Sequence, residues 1–572
     1  MDKKPDTIPF RLTIGVIGHG KIGNEDSDRL RETIKNIIAE IIKKYSELNH
    51  PRIEWDIYWP LSKLPLNWGY QRIQEIKSII LFYMSKILPL HRLQRRIPEI
   101  KLGILSSIAD DVDRLVIEEF FKYDSDTSLK IVLPLEESEY EKSFSNDQKE
   151  NFKKLKDKAN SIIPLREKTL TEEYKKYPED ILDEARKQAY KYADNFIVNH
   201  CDLLIDLGYE KNIDSYITDS NHSVYIINPK NPSKFTSVNS ETVHRDLLER
   251  INTINLQILC SPISQAEVNK KFNDLSAKKD IPVSQNIKSD IKDKLIPYHL
   301  IASSQAKKYQ NNYRNSGLGV IWLAFFAVFF LSIGVVFFNS HCSVFIFELI
   351  ALTLILIIFL VNKKAEFHKK WMEYRFLTER LRAAFYLTVC GVHISHHTKK
   401  NDSWMSRVFE EIKNRLTKKD IDDNWRIVRD HVKKAWIEDQ IVYHKKKADE
   451  YEKKNHRLEI IKDIVFFLAM AAAFLHFFVE AKSTLSSLTS AALILPALAA
   501  AIEAIQSFME YKQLSMHSEQ MVSELKELKD LFEKALTPED LENFLNKTDH
   551  VMVREVQDWL ELVSFAELHK AV

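Results

Sequence analysis

Two stretches of this chain are too apolar, for too long, to belong to a water-facing surface. Residues 318–338 read LGVIWLAFFAVFFLSIGVVFF without a charge, and residues 343–361 read SVFIFELIALTLILIIFLV with one, Glu348. A helix crosses the hydrocarbon core of a bilayer with about 20 apolar residues. The runs are separated only by Asn339, Ser340, His341 and Cys342, so they read as a transmembrane hairpin. A shorter run, 464–479 (IVFFLAMAAAFLHFFV), and a softer one, 485–502 (LSSLTSAALILPALAAAI, with Pro496), make a second tight pair. A buried helical core would not require such close pairing. The sequence therefore predicts an all-α region of four spans.

Basic residues orient the spans. Lys307, Lys308 and Arg314 precede the first; Lys363, Lys364, Lys369 and Lys370 follow the second; Lys445, Lys446, Lys447, Lys453, Lys454, Arg457 and Lys462 precede the third. The two hairpin loops carry only Lys482. Both termini and the central loop are thus expected in the cytoplasm, in a multi-pass protein of the inner membrane. The start, Met1-Asp2-Lys3-Lys4-Pro5, has no signal-peptide pattern. Glu348 is the one clear acid inside a span, at a cost of up to about 2.5–3.5 kcal/mol, which makes it a candidate for membrane function. Snorkelling to the outer interface is its plainer role.

The mean hydropathy of −0.27 averages this half with a polar one. At 572 residues the chain has room for three or four domains. With 82 basic and 81 acidic residues the net charge is +1, which argues against a nucleic-acid-binding protein. Four scattered cysteines (Cys201, Cys260, Cys342, Cys390) exclude a disulfide framework or cysteine-rich zinc site. His393 and His397 have helical pair spacing beside His396, but no HExxH pattern completes a metal site, so none is expected.

Residues 1–250 alternate strand-like runs (12–17, 53–59, 101–105, 129–133, 202–207, 223–228) with helix-like runs (28–45, 70–88, 110–121, 148–162, 178–198, 242–251). That alternation predicts an α/β, Rossmann-like parallel sheet with ligand loops at the carboxyl ends of its strands. The first such loop is Gly18-His19-Gly20-Lys21-Ile22-Gly23. It matches GxGxxG, but Asn24-Glu25-Asp26-Ser27-Asp28 separate the third glycine from the helix, and no acid closes the second strand. An ordinary dinucleotide fingerprint is disfavoured. A tight turn, or His19 and Lys21 meeting a phosphate or ribose, fits better. The third strand is followed by Ser106 and Ser107, whose hydroxyls at a helix start suit a phosphate or carbonyl oxygen. Asp110, Asp111 and Asp113 favour the helix N-terminus but repel an anion.

These segments, IGVIGHG, GILSSIADDVDRLVIEEF and IVLPLEESEY, resemble the SLOG superfamily, a Rossmann-like group that includes DprA-like DNA-processing proteins and LOG-type phosphoribohydrolases. The resemblance spans about residues 9–232 and implies nucleotide sensing. By it the ligand site comprises Gly18, His19, Lys21, Ser106, Ser107, Asp113, Arg114 and Pro134, the last in the Leu-Pro strand end. Gly20 stands where the group often has Arg, and Asp111 where it often has Gly. After CDLLIDLG the phosphate loop with adjacent glycines is missing; the chain has 11 glycines and no Gly-Gly pair. The resemblance therefore implies a sensor rather than an enzyme. The alternatives are a membrane-tethered nucleotide N-glycosidase, with Asp113 or Glu118 as base, and a scaffold that binds nothing small.

The paired spans with long charged helices, and WIEDQIVYH between them, resemble the SLATT group of two-span effectors associated with SLOG sensors. This resemblance covers about 300–572 and implies membrane disruption or pore formation in anti-phage defence. The chain has two hairpins, a duplicated or extended form. The expected units are a SLOG-like sensor (1–250), a connector with a juxtamembrane helix (251–310), a first hairpin with its extension (311–395), a helical segment (396–460), and a second hairpin with C-terminal helices (461–572). The expected partners are the lipid bilayer, a nucleotide second messenger and further copies of the chain. No cofactor beyond that ligand, no nucleic acid and no catalytic residue is expected.

Overall fold

In a computed structural model the described residues are 5–18, 24–48, 98–165, 179–207, 223–228, 231–238, 242–260, 263–276, 281, 283–337, 342–392, 403–417, 425–479 and 482–569. They form two compact units: Asp6–Cys260 with Thr398–Val408, and the remainder. The expected strand 53–59 and helix 70–88 lie outside the described residues.

The first unit is a seven-stranded sheet of order β4-β3-β2-β1-β5-β6-β7. Its strands are β1 (Phe10–Gly18), β2 (Ile100–Ser106), β3 (Ser128–Leu133), β4 (Ser161–Pro164), β5 (Leu203–Leu207), β6 (Ser223–Ile227) and β7 (Phe235–Val238). All neighbours are parallel except β6 and β7. β1 is central, and from Ile14 to Gly18 it is buried on both faces, the pattern of a strand covered on both sides. Strand succession reverses between β1 and β5, where Gly18 is in register with Leu207. Such a reversal opens a crevice beyond the carboxyl ends.

The helices are α1 (Asn24–Leu48), α2 (Asp111–Tyr123), α3 (Asn146–Lys158), α4 (Glu179–His200) and α5 (Thr242–Cys260). α4 lays Ala193, Ile197 and Val198 on Ile17, Leu105, Val132 and Leu204 of the sheet. Asn255 of α5 bonds Ile8 through both its amide groups, at 2.7 and 2.8 Å.

Two elements differ from the sequence expectation. The helix expected over 148–162 stops at Lys158, because Asn160 takes over the ladder: its side chain accepts from Leu129 N at 2.8 Å and its own N–H donates to Leu129 O. The next residues form edge strand β4, ending on Pro164, which disfavours helix before it. β7 was too short to read. The connector expected over 251–310 is also helical. α5 runs on to Cys260, and α6 (Gln265–Leu275) and α7 (Gln285–Lys294) bury Val268, Phe272, Leu275, Ile287 and Ile291 at helical spacing.

The second unit is helical and internally repeated. α8 (Ile296–Phe337, 42 residues) passes unbroken from polar sequence into the first apolar run, about 63 Å in all. It is followed by α9 (Cys342–Ala365, 24 residues) and α10 (Phe367–Cys390, 24 residues). Beyond α11 (Trp404–Lys413), α12 (Trp425–Val432) and a π-helical turn (Lys433–Glu438), the order recurs. α13 (Asp439–Leu475, 37 residues), α14 (Lys482–Met509, 28 residues) and α15 (Tyr511–Lys534, 24 residues) repeat it, and α16 (Pro538–His569) closes the chain. α8 packs on α9 and α10 as α13 packs on α14 and α15. Each return helix ends at one left-handed glutamate, Glu366 (φ 49°, ψ 41°) or Glu510 (φ 51°, ψ 32°). The two hairpins thus share their element order, their packing pattern and a left-handed glutamate, although residue identity alone did not establish a repeat.

Three helical stretches among the described residues are long and apolar enough to cross a membrane: Gln285–Phe337, Phe345–Cys390 and Thr484–Lys534. The expected third span falls short of this measure. Its helix stops at Leu475, so only about 18 Å of helix carries the apolar run that begins at Ile464, against a core of about 30 Å.

The copies meet where α8 crosses α14. A Cβ on Gly317 would lie 2.1 Å from Phe508 Cζ, and the Tyr313 and Phe508 rings are 5.3 Å apart. Gly317→Leu should therefore lower stability in micelles by about 1–3 kcal/mol. Adding Phe508→Ala should recover part of the loss, read by thermal unfolding.

Candidate functional site

The carboxyl ends of β1 and β2 meet the start of α2. Gly18 has no side chain because Asp113 occupies that space: a Cβ there would lie 2.4 Å from Asp113 Oδ1. The Asp113 carboxylate is fully buried. Its Oδ2 accepts from Ala109 N at 3.2 Å and, more weakly, from Ser106 Oγ at 3.4 Å. Ser106 Oγ accepts from Ile108 N at 3.0 Å. These bonds hold Ile108, a β-branched residue, at φ 58°, a conformation that costs of order 1–3 kcal/mol and gathers at functional sites. Tyr140, on the one-turn helix Glu137–Tyr140, donates its hydroxyl to Ser107 O at 2.9 Å. The loop after β2 is thus fixed from both sides.

Arg114 points the next way round α2. It is 4% exposed, and its Nη1 donates to Asp111 Oδ1 at 3.2 Å. The guanidinium lies 4.9 Å from the centre of the Phe144 ring. Among the described residues its Nε and Nη2 have no hydrogen-bond partner. Burial lowers the Arg114 pKa, while Asp111, Tyr140, Asp113 and Asp110 oppose that shift. Burial likewise pushes the Tyr140 phenol well up, so it remains a donor. A buried cation with two unsatisfied N–H groups is suited to an anion with two oxygens in one plane.

Gly18, Ser106 and Asp113 therefore converge directly, with Ser107 and Arg114 beside them. Pro134 is buried one residue past β3, on the same edge of the sheet. His19 and Lys21 lie outside the described residues, as do His393, His396 and His397. Asp113 supports the loop, a role hidden in the sequence because nothing there shows that it packs on Gly18. Tyr140 and Phe144 were also missed. Their only signal was two aromatics in a polar stretch just after the Leu-Pro strand end.

On α9 and at the end of α13 many apolar side chains face outward. Phe347, Leu349 and Phe359 on α9, Phe467 and Phe474 on α13, and Phe477 and Phe478 just beyond it are more than half exposed. Glu348 is half-buried between the exposed Phe347 and Leu349 of α9. Where the copies leave the apolar zone, packing becomes dense. Arg380 of α10 pairs with Asp549 of α16 at 2.9 Å, both buried. Tyr386 Oη lies 3.0 Å from both Leu275 O and Ala435 O, and the Tyr386 ring stacks on Trp436 at 4.8 Å. Ala435 and Trp436 belong to the π-helical turn, a geometry frequent at functional sites.

No curated protein and no solved structure matches the chain. Residues 434–559, from the π-helical turn into α16, fit the model of the SMODS and SLOG-associating 2TM effector domain 1, and with three helices long and apolar enough to cross a membrane this likeness points to a membrane protein.

Proposed function

We propose that the chain is a ligand-triggered membrane effector. The N-terminal unit is a SLOG-like sensor on a Rossmann-like sheet, and it takes a nucleotide-derived anion at the carboxyl edge of β1 and β2. Arg114 carries the reading: its two unsatisfied N–H groups are buried beside the start of α2, where helix N–H groups also favour negative charge. Ser107 borders the same loop. The ligand's phosphate would bind Arg114 and the α2 N-terminus, at the point where the strained Ile108 loop can respond.

The helical unit is the effector. Its two hairpins, with the apolar end of α13 entering the bilayer beside α14, make four membrane segments, and both termini are cytoplasmic. The membrane segments offer few polar faces, so permeabilisation comes from assembly of several copies rather than from a pore within one chain. Defence against phage is the role that the effector family favours. The energy for the response is the ligand's differential affinity for the two states.

The test uses the full-length protein in micelles with a panel of cyclic mono-, di- and trinucleotides, ADP-ribose derivatives and nucleoside monophosphates. A ligand at 100 times its Kd should stabilise the protein by about 2.7 kcal/mol. The same ligand should release dye from vesicles containing the protein, and Ser107→Asp should abolish both effects while insertion is retained. Turnover of the ligand would instead favour the hydrolase. A folded protein with no shift on any nucleotide would sink the sensor.

A further inference from the structure

α8 and α9 pack as the two arms of the first hairpin, and one contact fixes their register: a Cβ on Gly319 would lie 3.8 Å from Ile358 Cδ1. From that contact both helices run toward the polar end of the hairpin. Arg314 stands five residues before Gly319, and Lys363 stands five residues after Ile358. Each is about 7.5 Å along its helix from the contact, and Lys364 is about 1.5 Å further. The three cations therefore share one level.

That level suits the phosphates of a bilayer. The apolar runs begin at Leu318 and end at Val361. Arg314, Lys363 and Lys364 thus lie within about 6 Å of their edges, and the headgroup layer is about 5–7 Å thick on each side. All three side chains are exposed, and among the described residues none has a hydrogen-bond or ion-pair partner. Their neighbours are engaged. Lys369 faces Glu366 at 4.0 Å, and Lys370 and Lys308 lie 5.8 and 5.9 Å from the centre of the Tyr309 ring. The second hairpin differs at the same depth: Lys462, just before its apolar run, pairs with Glu503, just after it, at 2.7 Å. That cation is neutralised within the chain.

Beside Lys363 the surface of α9 is apolar and open. Leu356, Phe359 and Leu360 are each at least half exposed. Acyl chains can cover such a surface while the adjoining lysines meet the charge at their head. A soluble phosphate compound would meet the charge and leave the apolar surface bare. We infer that the polar end of the first hairpin is a binding site for an anionic phospholipid, its phosphodiester held by Arg314, Lys363 and Lys364 and its acyl chains lying on Leu356, Phe359 and Leu360. The site is independent of the proposed sensor and needs no nucleotide; it rests only on α8 and α9 crossing the bilayer.

The experiment titrates the full-length protein, in neutral detergent micelles, with phosphatidylglycerol, phosphatidylcholine and glycerophosphoglycerol, the headgroup without chains. Retained ligand is read by native mass spectrometry. Phosphatidylglycerol should bind at least about tenfold more tightly than phosphatidylcholine, since each basic residue beside an anionic lipid contributes roughly fivefold. Lys363→Gln with Lys364→Gln should bring the two lipids close to equal, and Arg314→Gln should lower the preference in part. Lys462→Gln should leave it at the wild-type value. The site residues are exposed, so their variants should melt like wild type in phosphatidylcholine. Equal binding of the two lipids by wild type overturns the site. So does a preference that survives the lysine changes, or one lost equally in Lys462→Gln. Glycerophosphoglycerol binding as tightly as the lipid overturns the lipid as ligand. Carbonate extraction from phosphatidylcholine vesicles reports separately on the crossing: a chain that is released removes the membrane reading itself, whereas a chain that is retained without the lipid preference removes only the site.

Discussion

Replacing Asp549 by alanine is expected to lower the stability of the helical unit by about 3–5 kcal/mol, measured by thermal unfolding in micelles. Arg380 and Asp549 are both 7% exposed and lie 2.9 Å apart, joining α10 to α16. Removing the carboxylate leaves a buried guanidinium whose remaining described contact is the Phe409 ring. That face is worth less than a paired charge. The converse change should look quite different. Arg380→Met with Asp549→Leu removes both charges, and it should lie closer to wild type than either single change. A double variant as damaged as Asp549→Ala would mean that the side-chain shapes, rather than the charges, hold α16.

The second large effect concerns Gly18 and Asp113. Gly18→Ala places a methyl group 2.4 Å from Asp113 Oδ1. It should cost about 1–3 kcal/mol, because neither the strand nor the buried carboxylate has room to yield. Asp113→Ala should cost a similar amount, since the Ala109 N–H loses its buried acceptor. The costs should not add. With the carboxylate gone, the methyl group has space, and a coupling of about 1 kcal/mol or more is expected. Independent costs would mean that the two residues do not share the space.

The sequence made some levels legible and hid others for physical reasons. β1, β2, β3, β5 and β6 were readable because buried strands show as continuous apolar runs between helices. β4 and β7 have four residues each and half-exposed faces, so their signal was lost beside Pro164 and Pro232. The membrane runs stood out by composition, but the length of α13 depended on where its helix stops, which apolarity does not state. The repeat was hidden because it lies in helix order, packing and two left-handed glutamates, not in residue identity. At the candidate site, Gly18 and Ser106 stood out by their place after strands. Tyr140 did not, since it acts through a contact that only tertiary structure creates.

The ion pair of Arg407 with the buried Asp202 also sets an order of events in time. Asp202 and Arg407 are 205 residues apart in the chain. At a synthesis rate of about 5–20 residues per second, roughly 10–40 s pass between the emergence of the two partners. During that interval α8 and α9 are made, while the second hairpin does not yet exist. The sheet therefore waits, its Asp202 carboxylate without Arg407, until the first hairpin has been delivered. The pair can close before α14 is translated, so the sheet unit is complete while the second hairpin is still being made.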